Sequence, residues 1–430
     1  MDFSSIDQSI PKNFPLLDKL VDDYRGGEPL KGVTVLQIQH QLGNHFPQAQ
    51  ALLDLGLERT RLIWIDVPYT STPEVRQALI EELKIPATSF HIHDFHVLDR
   101  YPPYQTKRVQ EVYARLLSDP PDRLVVLDDG AYFLEAAFCF AKQLPAVAIV
   151  EQTTRGLIKI EENATLNSYA LQIPLVNVAR SVPKQTLEPP FIGRAVCDSL
   201  YRHLEPLLDT SLPLRCLILG FGAIGRQVAE FLPEKMGFDR GQVHVHDPDD
   251  SRQRAALEAN FSFWDRSNIT QRFHLVIGCS GRKSFTLGDR VYLEDGAVLA
   301  SASSGTVELS RQDFIELADV SEIDDIRVMR EGLDELNVHS DLHITLVDRF
   351  VTFVNGGFPV NFDGRINCIP GRYIQPTPTM MVAAAIQAAE TLDNQQRGIV
   401  DLDPAFCAWV DEAFRKELGD ESRFLPPKTS

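Results

Sequence analysis

The chain lacks features that mark membrane and secreted proteins. No apolar run reaches the roughly 18 uncharged residues that a membrane-spanning helix needs. The N-terminal sequence MDFSSIDQSIPKNF has no basic region followed by an apolar one, as a secretory signal would have. The six cysteines stand singly, without the spacing of disulfide-rich or zinc-binding proteins. We therefore expect a cytoplasmic protein without disulfides.

Basic residues are also in short supply. The chain has 42 Lys and Arg against 60 Asp and Glu, a formal net charge of −18 at pH 7. Such a charge opposes binding to phosphate backbones, so we expect a small-molecule partner and neither nucleic acid nor membrane. Hydrophobic residues make up 44% of the sequence, which is typical of a globular protein with a large core, and 430 residues predict two or three domains.

A glycine motif is the most informative stretch of the sequence. Gly220, Gly222 and Gly225 follow the apolar run 217–219 in G-x-G-x-x-G spacing, the dinucleotide-binding fingerprint when a strand precedes it and a helix follows. Gly220 should allow the tight turn, Gly222 should let the backbone approach a pyrophosphate, and Gly225 should let the helix pack closely on the strand. Ala223 and Ile224 open the helix, whose N–H groups are expected to face the phosphates.

An acidic residue follows the next predicted strand, 243–246. Asp247 stands about where a carboxylate accepts the adenosine ribose hydroxyls of a dinucleotide. Arg226 and Arg252 could accommodate a 2′-phosphate, but Asp247 would repel one, so the pattern favours NAD over NADP. The alternative is a Rossmann fold that has lost its ligand.

A second α/β region precedes the glycine motif. Apolar runs at 33–39, 61–68, 123–129 and 146–151 predict strands, and helical periodicity lies between them. Runs at 275–281, 297–303 and 349–357 predict the later strands of the nucleotide domain, the pattern at 191–208 predicts a spacer helix, and that at 377–392 predicts a helix that returns to the first domain.

The sequence thus predicts an α/β protein with two domains. A split substrate-binding α/β domain covers 1–189 and is completed by about 363–395. A Rossmann-fold NAD-binding domain covers 190–362, with a hinge near Pro189 and Pro190, since proline disrupts a helix interior. Residues 396–430 are predicted to be a peripheral C-terminal tail.

Several segments, in order along most of the chain, resemble the S-adenosylhomocysteine hydrolase family. They are HQLGNHFPQAQALLDLG at 40–56, LDDG at 127–130, EQTTRG at 151–156, VNVARSVPK at 176–184, GFGAIG at 220–225 and NGGFPVNF at 355–362. The resemblance implies tightly bound NAD that transiently oxidises the 3′-hydroxyl of a nucleoside. The adjacent C–H becomes acidic, the 5′ thioether leaves, water adds and the hydride returns. A homo-oligomer, a dimer or a tetramer, is also implied.

The resemblance also implies catalytic residues. His40 and Asp129 match the family's histidine and aspartate that act at the 5′ carbon, where proton transfer to a leaving group is needed. Lys184 matches the lysine beside the 3′-hydroxyl, and Glu188 replaces its neighbouring aspartate.

Cofactor- and substrate-binding residues are implied in the same way. Thr153 and Thr154 match threonines near the nicotinamide, and Asn361 matches an asparagine near its carboxamide. Asn44 replaces a glutamine that contacts adenine, and Gln152 replaces a glutamate that grips the ribose hydroxyls. Further departures are that Ser304 replaces a histidine and that a later histidine of the family has no counterpart in CIPGRYIQPTPT at 368–379. The segment SRFLPPKTS also lacks the lysine and tyrosines that a neighbouring subunit contributes in the family.

Each of these residues also has a structural interpretation. His40 could cap a helix, Lys184 could be solvated, and Asp129 could be the N-cap of the following helical pattern. The histidine-rich segment HIHDFH at 91–96 resembles a zinc site, but its aspartate comes one place early for the usual run, so we expect no metal.

Three functions remain open from the sequence. The first is an enzyme of this superfamily with an altered substrate pocket, acting on a nucleoside-like thioether. The second is a net NAD-dependent dehydrogenase with exchangeable cofactor. The third is a catalytically inactive NAD-binding regulator, which the loss of the family's glutamate and histidines would favour.

Overall fold

Two sheets organise the computed structural model, which describes residues 3, 5–204, 214–320, 327–328, 337–346, 349–394 and 396–427. A seven-stranded unit comprises Ile6–Asp94, Pro103–Glu188 and Gly364–Ser430. An eight-stranded unit comprises Met1–Ser5, Phe95–Pro102 and Pro189–Asp363. Helices accompany both sheets, which confirms the predicted α/β class. No helix among the described residues is both long and apolar enough to cross a membrane.

The strands and helices have the following bounds. The strands are β1 Thr34–Gln41, β2 Leu62–Ser71, β3 Phe90–His91, β4 Leu124–Asp128, β5 Val147–Glu151, β6 Pro174–Asn177, β7 Cys216–Leu219, β8 Val243–His246, β9 Ser262–Phe263, β10 Phe273–Gly278, β11 Leu293–Ser301, β12 Arg327–Val328, β13 Leu342–Thr345, β14 Phe350–Phe353 and β15 Gly398–Asp401. The helices are α1 Pro15–Asp23, α2 His45–Asp54, α3 Pro73–Glu81, α4 Tyr101–Ser118, α5 Tyr132–Phe138, α6 Thr154–Glu162, α7 Ala164–Ala170, α8 Val182–Thr186, α9 Pro189–Leu204, α10 Ala223–Met236, α11 Asp250–Glu258, α12 Arg311–Val320, α13 Gly371–Ile374, α14 Pro376–Asp393 and α15 Pro404–Leu418.

The seven-stranded sheet is parallel throughout, in the order β15-β6-β5-β4-β1-β2-β3. Its central strands β1, β4 and β5 are buried along their whole length, as strands covered on both faces must be. The chain builds β2 and β3 on one side of β1 and then places β4 on the other side. The strand order therefore reverses between β1 and β4, and ligands of open α/β sheets bind at the carboxyl ends of such a strand pair.

The C-terminal segment is part of this sheet, in contrast to the predicted peripheral tail at 396–430. Within the described residues up to 427, β15 pairs in parallel with β6, and α15 packs against α14. The Asn177 side-chain amide also donates to Asp401 at 3.1 Å. The sequence signal for β15 is only four residues long, so nothing local distinguished it from a loop.

The eight-stranded sheet has the Rossmann strand order. Strands β9-β8-β7-β10-β11-β14 are parallel and correspond to the order 3-2-1-4-5-6. Strands β13 and β12 continue the sheet with antiparallel pairing. The strand order reverses between β7 and β10, and the glycine motif follows the carboxyl end of β7. The predicted Rossmann fold is therefore confirmed.

The helix after the first β-rich region begins at two prolines. Pro189 and Pro190 occupy the first turn of α9, where a missing N–H costs no intrahelical bond. The helix continues to Leu204. Residues 205–208, the end of the helical pattern predicted over 191–208, lie outside the described residues.

A buried arginine holds separate segments of the eight-stranded unit together. The Arg311 side chain has no exposed surface. Its Nη1 donates to the carbonyl of Val97 and, at 3.1 Å, to that of Gly356, and its Nη2 donates to the carbonyl of Asp99 at 2.7 Å. Burial lowers the pKa of Arg311 to about 10, which keeps it charged at neutral pH. Phe95–Pro102 belongs to this unit, although the residues on either side of it belong to the seven-stranded unit. The donors of Arg311 thus attach this segment to the rest of the eight-stranded unit.

We expect Arg311→Met to lower the free energy of unfolding by about 2–4 kcal/mol, because it leaves buried carbonyls without their charged donor. Denaturant unfolding followed by circular dichroism measures this change. Arg254→Met, at an exposed position of α11, is the control and should change the value by less than about 0.5 kcal/mol. Equal effects of the two substitutions would contradict the assigned role of Arg311.

Candidate functional site

The first candidate site lies at the strand-order reversal of the seven-stranded sheet. His40 is near the carboxyl end of β1, and Asp129 follows β4 directly, with its N–H donating to the carbonyl of Ile38 at 3.1 Å. His40 Nε2 lies 3.1 Å from Asp129 Oδ2, and both side chains are buried. The pairing of β1 with β4 therefore brings together two residues that are far apart in sequence.

Asp129 is held as an anion. Burial alone would raise its pKa, but the charge and hydrogen bond of His40, together with the charge of Lys184, hold the pKa of Asp129 below its usual value. Lys184 forms an ion pair with Glu188, whose other oxygen accepts from the Thr377 hydroxyl at 3.0 Å. The structure thus groups His40, Asp129, Lys184 and Glu188 in one electrostatic cluster.

Asp129 is not the cap of α5, which had been an alternative role for it. Asp128 accepts the N–H groups of Tyr132 and Phe133 at 3.2 and 2.8 Å, so it satisfies the first turn of the helix. Oδ2 of Asp129 instead accepts a hydrogen bond from Gln152 Nε2 and lies beside His40 Nε2. The carboxylate of Asp129 is therefore committed to the cluster and not to the helix.

Gln152 belongs to a chain of buried amides that leads away from Asp129. Its Nε2 donates to Asp129 at 3.4 Å, and its Oε1 accepts from Gln39 at 2.6 Å. Gln48, on α2, donates to Gln39 at 2.9 Å and to Gln37 at 3.0 Å. Because a carboxylate only accepts, Asp129 fixes which way the Gln152 and Gln39 amides point.

Sequence reasoning missed Gln39 and Gln48. The available signal was the run VLQIQHQ, in which glutamines alternate along a strand that is buried on both faces. A buried polar side chain needs a partner, so such a pattern indicates an internal network. Gln152 was predicted to bind substrate, and the structure shows that its amide already serves this network.

Glu151 fixes the backbone around the site. It accepts from the N–H groups of Gly130 and Ala131 at 3.2 and 2.9 Å, and from the Thr153 N–H and hydroxyl at 2.8 and 2.7 Å. It also pairs in register with Asp128 on the neighbouring strand. Burial first, and the nearby carboxylate second, raise the pKa of Glu151. Glu151 thus positions the turn that carries Asp129, a role that the sequence did not reveal.

The remaining predicted residues of this unit lie at the same sheet edge or beside it. Thr153 is the N-cap of α6, and its hydroxyl accepts the Gly156 N–H at 3.0 Å. Thr154 follows it at the exposed start of the helix. Asn44 is buried at the N-terminus of α2, next to His45. The Thr153 hydroxyl is therefore already engaged in capping, whereas the side chain of Asn44 does not cap α2.

The second candidate site is the glycine turn after β7. Gly220 has φ +96°, which a side chain would strain, and a Cβ on Gly225 would lie 2.0 Å from the Gly220 carbonyl oxygen. These values confirm the expected tight turn and close packing of α10 on the strand. A Cβ on Gly222 would meet only Arg252 Nη1, at 3.8 Å, among the described residues. The N-cap residue of α10 is Gly222, which has no side chain to cap the helix start at Ala223 and Ile224.

Asp247 is tied to this turn. Its carboxylate accepts the N–H groups of Phe221 and Asp249 at 2.7 and 3.0 Å, and Arg252 lies 3.5 Å away. The Asp247 side chain is 3% exposed. It therefore holds the glycine turn in place, and Oδ1, which accepts the Asp249 N–H, has the capacity to accept a second hydrogen bond.

Glu308 supports the same turn from behind, and sequence reasoning missed it. Its carboxylate accepts the Ser280 and Gly281 N–H groups at 3.0 and 2.9 Å. A Cβ on Gly220 would lie 2.8 Å from Ser280 Cα, so Glu308 fixes the wall of the glycine turn.

The predicted Asn361 is buried beside β11, since the neighbouring Val360 N–H donates to the Ser301 carbonyl at 2.8 Å.

The histidine-rich segment is divided between the two units after Asp94. Burial lowers the pKa values of His91 and His93, and Arg108 donates to the His91 carbonyl. Across the described part of the chain, no group of three or more His, Cys, Asp and Glu side chains is arranged to hold a metal ion.

Comparisons with known proteins find distant relatives of the chain. No family model matches the chain. An uncharacterized protein of Mycobacterium tuberculosis is 27% identical over 404 residues, covering 90% of this chain and 71% of that protein. The adenosylhomocysteinase of Thermotoga maritima is 23% identical over 313 residues, covering 72% and 71%. The S-inosyl-L-homocysteine hydrolase of Methanococcus maripaludis is 21% identical over 315 residues, covering 71% and 69%.

A solved structure, dipicolinate synthase A chain from Bacillus subtilis, aligns with a TM-score of 0.37 and 9% identity, covering 85% of this chain and 97% of that one. The fold and sites define a two-unit α/β protein that contains a Rossmann unit. The sequence matches add a distant homology to the adenosylhomocysteinases.

We expect Asp128→Asn to change how stability depends on pH. Burial raises the pKa of Asp128 from 3.8 to about 7, so the folded chain holds a proton that the unfolded chain has released. The free energy of unfolding of the wild type therefore falls as pH rises from about 4 to about 7, and Asp128→Asn should not show this decrease. In urea unfolding, the free energy of unfolding of Asp128→Asn relative to that of the wild type should rise by about 1–3 kcal/mol between pH 5 and pH 8. A difference that stays constant over this range would contradict the assignment.

Proposed function

We propose that the chain is an NAD-dependent enzyme of the adenosylhomocysteinase type, acting on a nucleoside-like thioether by transient oxidation of its 3′-hydroxyl. The observation that carries this proposal is the cluster of His40, Asp129, Lys184 and Glu188, which come from separate segments of the chain. Two similar proteins bear the names adenosylhomocysteinase and S-inosyl-L-homocysteine hydrolase, which supports a purine nucleoside linked to homocysteine as the substrate class.

The glycine turn fits a dinucleotide. The space beside Gly222 is open to the diphosphate, whereas the spaces beside Gly220 and Gly225 are filled by backbone. The N–H groups at the start of α10 supply donors for the phosphates, and Oδ1 of Asp247 supplies an acceptor for a ribose hydroxyl. Bound NAD would provide the hydride acceptor for the oxidation.

The charged residues of the seven-stranded unit have distinct proposed tasks. Lys184 Nζ takes the proton of the substrate hydroxyl as it passes one of its own protons to the carboxylate of Glu188, with which it forms an ion pair. Asp129 and His40 move protons at the 5′ carbon, where the thioether leaves and water adds. Gln152, as a neutral donor to Asp129, avoids the repulsion that a glutamate would create there.

We expect Gly222→Ala to fold normally and to lose affinity for NAD by at least about tenfold, which corresponds to about 1.4 kcal/mol. The added methyl group fits the protein but occupies the path of the diphosphate. Calorimetric titration with NAD, after any bound cofactor has been removed from each protein, measures the affinity. Gly241→Ala, where a Cβ meets nothing within 4 Å, is the matched control. An unchanged NAD affinity in Gly222→Ala would contradict the assigned site.

We expect the purified wild type to release NAD on denaturation and to accumulate NADH when S-adenosylhomocysteine or S-inosylhomocysteine is added. Lys184→Ala should slow this reduction by about a hundredfold or more, the usual contribution of a positioned acid–base group. Lys142→Ala, at an exposed position, is the matched control. Cofactor reduction is followed by the near-ultraviolet absorbance of NADH.

The same assay separates the proposal from the two other functions. Net accumulation of free NADH with multiple turnovers indicates a dehydrogenase with exchangeable cofactor. Bound NAD that no nucleoside reduces indicates an inactive regulator. Either outcome would overturn the proposed reaction and leave the NAD site intact.

A further inference from the structure

A threonine on the neighbouring strand contacts the side of His40 that faces away from Asp129. Thr70 lies near the end of β2 and is buried. Its hydroxyl oxygen is 2.6 Å from His40 Nδ1 and also donates to the Val67 carbonyl at 3.2 Å. The imidazole is therefore held between two oxygens, Thr70 Oγ1 on one side and Asp129 Oδ2 on the other.

The number of hydrogens in this chain of contacts is limited. A threonine hydroxyl has one hydrogen to donate, and a carboxylate has none. When Thr70 donates to Val67, both ring nitrogens of His40 must carry hydrogen to satisfy Thr70 and Asp129, so His40 is an imidazolium. When the Thr70 hydroxyl turns toward Nδ1, only Nε2 needs a hydrogen, and His40 is neutral.

We infer that Thr70 is a positioning residue that accommodates both protonation states of His40, so that the imidazole gains or releases a proton without losing its contact with Asp129. On deprotonation the Nδ1 proton passes to solvent water, the Thr70 hydroxyl rotates to donate to Nδ1, and the hydrogen bond to the Val67 carbonyl is given up. A role for this exchange in turnover rests on the proposed function, whereas the hydrogen count does not.

Among the described residues, other charged and titratable groups also lie around His40. Asp129 and Lys184 are the charged groups of the cluster, with Glu188 paired to the lysine. His45 lies with its ring centre 6.2 Å from that of His40, and the Tyr69 ring centre is 5.9 Å away. Burial, reinforced by the charge of His40, lowers the pKa of His45 to about 3, so His45 is neutral across the range of interest.

The test follows the side-chain nitrogen signals of His40 by NMR during a pH titration of the full chain, without NAD or substrate. Thr70→Val keeps the shape and removes the hydroxyl. The charged imidazolium then loses a stronger hydrogen bond than the neutral ring does, and we expect the titration midpoint to fall by about one pH unit. Thr70→Ser keeps the hydroxyl and should keep the wild-type midpoint. Thr72→Val removes a hydroxyl from the same strand end and is the matched control.

An unchanged midpoint in Thr70→Val, or an equal shift in Thr72→Val, would overturn the inference. Thr70→Ala removes the same hydroxyl and serves if the valine variant does not fold. If the midpoint moves as expected while no nucleoside reduces bound NAD, the role of Thr70 stands and the proposed function fails. If nucleosides are turned over and the midpoint does not move, the proposed function stands and this inference fails.

Discussion

The pairing of β1 with β4 is the constraint on which the candidate chemistry depends. These parallel strands lie where the strand order of the sheet reverses. In open α/β sheets, a crevice forms outside the carboxyl ends of the two strands at such a point. His40 and Asp129 face each other only because of this pairing. The carboxyl groups of Asp128 and Glu151 then hold the following turn by accepting its backbone N–H groups, and their burial raises the pKa of both. Burial of these two groups thus costs some free energy of unfolding, and it fixes the position of Asp129.

The glycine turn shows the same principle with backbone in place of side chains. Gly220 and Gly225 are required by the protein itself, since added atoms would collide with main chain, whereas Gly222 is not. This difference separates structural glycines from the one that a ligand would require. Asp247 and Glu308 fix the turn from opposite sides. A preorganised turn binds a diphosphate without the entropic cost of ordering a loop.

Local sequence patterns predicted the class of fold, most of the strands and the glycine turn, because each depends on a contiguous apolar run or on short-range backbone geometry. They did not predict β15, Arg311, Glu308 or the amides of Gln39 and Gln48. Each of these gains its role from a partner distant in sequence, and a four-residue strand or a single polar residue carries no periodicity. The grouping of His40 with Asp129 followed from family resemblance, and the structure supplies its cause in the strand order. The catalytic roles stay predictions.

The position of β15 has a consequence for how the polypeptide matures. The segments of the eight-stranded unit end at Asp363, but the seven-stranded unit needs β15, which is translated after them. Until then, β6 is an edge strand with unpaired backbone groups, a surface that favours association with other chains. A ribosome-bound chain in which β15 has not yet been synthesised would therefore expose the edge of β6, and the pairing of β15 then covers that strand.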